Sequence, residues 1–385
     1  MTKNNCNLKL PDYIKNLQID LCRSNLDYYT YHDRYLKKLQ RLEVDKLDPH
    51  YLSTYSSFVG ELYENIIYEL LLRYALETHT IKEFVLKGPH QKKSQNFKNG
   101  FMCDINSQIV YKSGYKDITE FDGLFFTQND VYFVESTIVK TTTGLRKRLK
   151  KKKALLQILF PKKNIKALII LSEGALGVSV FPKYCTVWIT KSLDDEQLID
   201  QIIHASKPSE SLVEFESSKL IQAKDIKTTN FKYFETLAWI LRKSVDQKNG
   251  GLNYQFLLGE EIDLYFDIYT KLYVGYTNVK DFIQLLKLLE IQTISEDIDL
   301  SHIIDQKVYI TTEKENQKLS YVFYVQVKND GLKKLELLVD DKILKVSSKD
   351  PKGFTVSEVK FVKYILNKKN LFHFELLKGL QNLVD

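Results

Sequence analysis

The sequence predicts an α/β fold with a mixed central sheet flanked by helices, followed by a smaller C-terminal α+β domain. Three observations carry this. Helix-period apolar stripes alternate with short continuous apolar runs such as Ala167–Leu171 and Cys185–Thr190, the mark of buried strands. A strand-period stretch, 117–139, reverses at Gln128-Asn129-Asp130. Beyond residue 307 the chain turns to short strands joined by polar turns. At 385 residues the chain is longer than one typical domain. The expected organisation is a helical lead-in at 1–50, a core at 51–206, a linker at 207–228 and the α+β domain at 229–385.

In the lead-in, Tyr13, Ile14, Leu17 and Leu21, then Tyr35, Leu36, Leu39 and Leu42, recur at helical spacing, and Asp48-Pro49 breaks the run. A second helix is expected over 53–77, with Ser56 and Ser57 as caps. Phe58, Leu62, Tyr63, Ile66, Ile67, Leu70, Leu71 and Tyr74 form its apolar stripe. Glu64 borders that stripe, whereas Glu61 falls opposite it, in solvent.

The segment 87–100, KGPHQKKSQNFKNG, reads as a polar, basic loop with His90 at the surface. Residues 101–112 lead into the sheet, and Gly114 marks the turn into the next strand. On that strand Glu120, Asp122, Leu124 and Phe126 share a face; on the one after it Val131, Phe133, Glu135 and Thr137 do. Asp122 and Glu135 thus sit inside apolar strands. Carboxylates are costly there unless they are paired or bind a cation, and two at neighbouring strand ends suit a hard divalent metal. Glu120, on the same face as Asp122, is a further candidate ligand or a solvent-facing neighbour, the second being the expectation.

A helix follows at 141–160, with Leu145, Leu149, Leu156 and Leu159 toward the sheet. Residues 146–153 hold seven basic side chains and no acid. Beside an acidic pair, such a patch fits phosphate contact by Arg146, Lys147, Lys150, Lys151 and Lys153. Leu193–Ala205 reads as a helix closing the core. In the C-terminal domain 229–293 reads as helical, 307–347 as strands and Ser357–Leu383 as a last helix. No catalytic constellation stands out in that half.

The arrangement around Asp122 and Glu135 resembles the PD-(D/E)xK, or restriction-endonuclease-like, nuclease superfamily. Asp122 in EFDGLF matches the hairpin aspartate, Glu135-Ser136-Thr137 the (D/E)xK position, and Gly60, Tyr63 and Glu64 the Gly-x-x-aromatic-Glu form of the upstream helix. The resemblance covers roughly residues 55–190 and departs at the motif lysine, where Thr137 stands. It implies a metal-dependent endonuclease of restriction or defence type. Glu64, Asp122 and Glu135 would hold Mg²⁺ or Mn²⁺, and a lysine from the following helix, Lys147 or Lys150, would replace the missing one. Lys150 is the residue assigned the catalytic part. The alternative it leaves open is an inactive nuclease-fold protein that binds nucleic acid or serves in assembly.

Composition bounds the rest. Hydrophobic residues make up 44% of the chain, ample for packed cores, and the net charge is +7. No run is long enough to span a bilayer, and the start, MTKNNCNLKLPDYIKN, lacks a signal-peptide core. The four cysteines are widely spaced with no CxxC pair, so reduced thiols and a cytoplasmic location are expected. The expected partner is nucleic acid, with DNA before RNA; a homodimer is compatible with this and a membrane is not expected.

Overall fold

A computed structural model describes residues 8–348, except 92–97, 105, 107, 143 and short gaps beyond 205. The helix expected at Ser357–Leu383 lies outside the described residues. The chain divides into two compact units, Met1–Lys232 and Tyr233–Asp385, and both mix helices with sheet.

In the first unit the lead-in folds as three short helices, α1 (Asp12–Lys15), α2 (Arg23–Leu26) and α3 (Arg34–Arg41). The long helix α4 spans Pro49–Glu77. It starts earlier than the serines suggest, because Asp48 caps it. Asp48 Oδ1 accepts the N–H of His50 at 2.8 Å and of Tyr51 at 3.4 Å. Pro49 fits the first helical position, where an N–H would have no partner. The Asp-Pro pair that breaks the lead-in therefore begins the next helix.

The central sheet comprises β1 (Glu83–Leu86), β5 (Gly123–Phe126), β6 (Asp130–Thr137), β7 (Asn164–Ser172), β8 (Cys185–Thr190) and β9 (Leu220–Gln222). Between β1 and β5 the chain leaves this sheet and builds an antiparallel meander of β2 (Gly100–Cys103), β3 (Ile109–Ser113) and β4 (Lys116–Phe121). The main sheet runs β8-β7-β6-β5-β1-β9. It is mixed: β6, β7 and β8 are parallel, β5 opposes both β6 and β1, and β9 is parallel to β1.

One expected strand is thus two. Residues 116–121 pair with β3, whereas 123–126 pair with β1 and β6, and Asp122 stands at the crossing between sheets. Glu120 lies exposed on the meander, opposite Val110.

Both faces of the sheet are covered. Phe84, Phe125, Tyr132, Val134, Leu168 and Ile170 alternate toward a core shared with α4, the lead-in and α6 (Glu196–His204). Helix α5 (Leu145–Leu159) packs on β7 and buries Leu145, Leu149, Leu156 and Leu159 as the stripe requires. Within the segment expected as a linker, Leu220–Gln222 forms β9 and pairs with β1. Next to it, Lys219 Nζ donates to the carbonyls of Ala75, Leu76 and Thr78 at 3.2, 3.2 and 2.7 Å, closing the C-terminal end of α4.

In the second unit, strands Leu272–Asn278, Lys307–Glu315, Lys318–Val327 and Gly331–Leu335 pair antiparallel in that order, and Ser347–Ser348 pairs with the third. Helices Tyr233–Ser244 and Val279–Leu288 fall within the stretch 229–293 that reads as helical. The tyrosine-bearing segment between them, read as helical, contains the strand LYVGYTN. Its aromatic and β-branched residues favour a pleated surface. Among the described residues no helix is long and apolar enough to cross a membrane, and Cys22, Cys103 and Cys185 are free thiols.

Candidate active site

The register of the main sheet brings two acidic residues together. In the β5–β6 ladder Gly123 faces Val134, so the next pair is Asp122 and Glu135. In the β1–β5 ladder Glu83 faces Phe126 and Phe84 faces Phe125. Lys87 keeps an extended backbone, with φ −137° and ψ 177°. Asp122 and Glu135 therefore stand side by side at the ends of β5 and β6.

Each is fixed. Asp122 Oδ2 accepts the backbone N–H of Ser136 at 2.7 Å and the Ser136 hydroxyl at 3.2 Å. Glu135 is buried; its Oε1 accepts from the ammonium of Lys152, and Arg148 Nη2 lies 3.7 Å from Oε2. Lys152 is itself buried and lies over the ring of Phe121, 5.5 Å from its centroid.

Glu64 lies on α4, which two tyrosines pin to the sheet. Tyr63 Oη pairs with Thr190 Oγ1 at 2.8 Å. Tyr68 Oη donates to the carbonyl of Val85 at 3.2 Å and accepts the Lys87 N–H at 2.8 Å. Burial, reinforced by the negative charges of Asp122 and Glu135, pushes the half-buried Glu64 carboxyl up to about 8, against the pull of Lys87 and Lys152. Burial likewise raises the Glu135 carboxyl, with Lys152 opposing it. Asp122, Lys87, Glu135 and Lys152 thus all act electrostatically on Glu64.

Lys150, the residue chosen from the sequence as the catalytic lysine, sits on the exposed face of α5, as do Arg146 and Lys147. Lys151 is half-buried, and Lys153 donates to Gln157 Oε1 at 2.7 Å and lies over Tyr184. The lysine that meets Glu135 is Lys152. Its signal was in the sequence: it lies three residues after Leu149 and four before Leu156, inside the buried stripe. Thr137 is half-buried and accepts the Val139 N–H at 3.2 Å through its hydroxyl.

Three other expectations change around the site. Glu61 is not in solvent; it accepts the His32 N–H at 2.9 Å and pairs with His32 Nδ1 at 3.1 Å. His90 is buried. Its Nε2 lies 2.6 Å from Glu69 Oε1, which also accepts from Tyr29 Oη at 2.6 Å, while Glu69 Oε2 accepts from Asn25 at 2.8 Å. This buried cluster joins the lead-in, α4 and the turn after Lys87. Lys87, read as the start of a loop, is a buried residue continuing the line of β1.

Among the described residues no group of three or more His, Cys, Asp or Glu is gathered tightly enough to form a metal cage as it stands. Compared with models of known protein families, with curated proteins and with solved structures, the chain matches none.

Proposed function

We propose that the first unit is a metal-dependent nuclease built on a restriction-endonuclease-like core, hydrolysing phosphodiester bonds, with DNA as the expected substrate. The observation that carries this reading is the ion pair between Lys152 and Glu135 at the end of β6. The cation absent at Thr137 is supplied from the buried face of α5. A helix carrying Glu64, the antiparallel β1, β5 and β6, then α5 and the parallel β7 follow the order that the resemblance implies.

The donor set suits a hard divalent cation. Glu64, Asp122 and Glu135 offer only carboxylate oxygens, the ligands that Mg²⁺ and Mn²⁺ take. Burial, and after it the charges of Asp122 and Glu135, raise the Glu64 carboxyl, and a cation relieves that repulsion. Bound there, such an ion polarises a phosphoryl oxygen and lowers the pKa of water. Within the chain, Ser136 holds Asp122 in one orientation and Tyr63 and Tyr68 hold Glu64 over the strand ends. Lys152 is placed to balance negative charge that develops on a phosphate beside Glu135. Arg146, Lys147 and Lys150, exposed on the same helix, give the backbone of a nucleic acid a basic track.

The test is incubation of the full chain with plasmid DNA and with RNA, in Mg²⁺, Mn²⁺ or EDTA, beside Asp122→Asn. Cleavage that needs the metal and disappears in the variant is the expected result. Thr137 at the motif position favours a second reading, a non-cleaving nucleic-acid-binding module. Retained binding without cleavage in either metal selects that reading.

A further inference from the structure

We infer that Arg148 is a substrate-binding residue of this site, its guanidinium contacting the phosphate that is seated against Glu135. The inference rests on the nuclease reading above and adds a residue that the resemblance does not supply.

Helix α5 meets Glu135 with two cations. Arg148 and Lys152 are four residues apart, so they lie one above the other on the helix. Lys152 reaches Oε1, and Arg148 Nη2 lies 3.7 Å from Oε2, so each oxygen of one carboxylate faces its own cation. Their settings differ. The Lys152 side chain is 9% exposed and rests against the ring of Phe121, whereas that of Arg148 is 64% exposed. The Glu135 side chain itself is only 4% exposed. A solvated guanidinium this close to a buried carboxylate marks the side on which the acids open to water, and that side is Oε2. Lys152 closes the site from within; a ligand arriving at Glu135 from solvent meets Arg148.

Structural support is a poor account of this contact. At 3.7 Å no hydrogen bond joins Nη2 to Oε2. Glu135 already holds the ammonium of Lys152, the partner its burial requires. A further pair to a largely exposed side chain adds little to stability. What the position does supply is a planar fork of N–H donors, the shape that grips two phosphate oxygens at once.

Electrostatics gives the fork a purpose. Asp122 and Glu135 stand together, both act on Glu64, and such a set of carboxylates repels a phosphodiester. A cation that offsets this repulsion has to be within reach of the substrate, and Lys152 is buried beneath. Arg148 is both exposed and at the acids. It joins the track of Arg146, Lys147 and Lys150 to the centre of the site, exchanging one anionic oxygen for another as the phosphate arrives.

The experiment compares wild type, Arg148→Met and Arg148→Lys in full-length protein. Single-turnover cleavage of duplex DNA is followed in Mg²⁺, DNA affinity is measured in EDTA at several salt concentrations, and folding is followed by thermal melting. Arg148→Met is expected to melt as wild type does and to slow the saturated step by about 100-fold, as loss of one transition-state donor does. Its log-log salt slope in EDTA should fall by about 0.9. Arg148→Lys should keep the slope but recover only part of the rate, because an ammonium lacks the fork. A wild-type rate in folded Arg148→Met overturns the role of Arg148 while leaving the nuclease reading intact, and so does an unchanged slope with a lowered melting temperature. If Arg148→Met does not fold, a wild-type rate in Arg148→Lys overturns it instead. Absence of metal-dependent cleavage by wild type overturns the nuclease reading; the slope in EDTA then decides Arg148 by itself, and an unchanged slope overturns that as well.

Discussion

Tyr29 closes directly over Gly88. A Cβ on Gly88 would lie 2.4 Å from Tyr29 Cε1, and the backbone there has φ +63°. The lead-in thereby presses on the turn that follows Lys87, and the neighbouring His90 is tied through Glu69 to the same tyrosine. Gly88→Ala must displace an aromatic ring and adopt a left-handed backbone. Overpacking of this kind costs about 1–3 kcal/mol. Urea denaturation should show that loss, with a fall in cleavage because the Lys87 turn shifts. An unchanged midpoint would mean that the lead-in does not clamp the site.

Lys152→Met leaves the buried Glu135 carboxylate without its principal partner. Breaking a buried pair from one side costs about 3–5 kcal/mol. The loss should be largest at neutral pH and shrink in acid, where Glu135 can take a proton. Adding Glu135→Gln should restore most of the stability and none of the cleavage. A single variant as stable as wild type would show that the pair contributes nothing.

Glu64 gives the metal-free protein a pH signature. Its carboxyl stands at about 8 in the folded chain against an ordinary value of 4.5. Below 4.5 the folded and unfolded chains both carry the proton. Between those two values the unfolded chain releases it and the folded chain keeps it, so stability falls as pH rises through the window. One group gives a slope of at most about 1.4 kcal/mol per pH unit. Glu64→Gln should flatten that part of the curve. Added Mg²⁺ should bind more tightly as pH rises, since it displaces the same proton. A wild-type curve identical to that of Glu64→Gln would remove Glu64 from the site.

The exposed basic face of α5 should behave differently from Lys152. Replacing Arg146, Lys147 and Lys150 together by Ala is expected to weaken DNA binding and leave the saturated cleavage rate unchanged. Each lost phosphate contact lowers the log-log salt slope by about 0.9 on duplex DNA. Fluorescence anisotropy at several salt concentrations measures it, and an unaltered slope would make this face a solvated surface only.

What the sequence revealed, and what it hid, divides along a physical line. Asp122, Glu135 and Glu64 were legible because local periodicity decides which residues border a buried face. Lys152 was equally legible, since the spacing Leu149, Lys152, Leu156 puts it inside the stripe, whereas Lys147 and Lys150 fall on the exposed face. Lys87 was not legible. Its burial depends on Tyr68 and Gln108, both remote in sequence, and no local pattern encodes those contacts. The break of one strand into two at Asp122 was hidden for the same reason, because both halves keep the strand period. His90 looked superficial among lysines and asparagines, yet Tyr29 and Glu69, both remote in sequence, bury it.

The short strand β9 has a practical meaning for anyone who cuts this chain. Leu220–Gln222 covers the outer edge of β1, with Phe84 N–H bonded to the Lys219 carbonyl at 2.7 Å. A fragment ending at residue 206, where the sequence suggested the core stops, would leave β1 as an open, apolar edge strand with unpaired backbone groups. Open edges of that kind recruit strands from other molecules. Three residues of an apparent linker thus act as a guard against self-association, and a soluble version of the first unit has to include them.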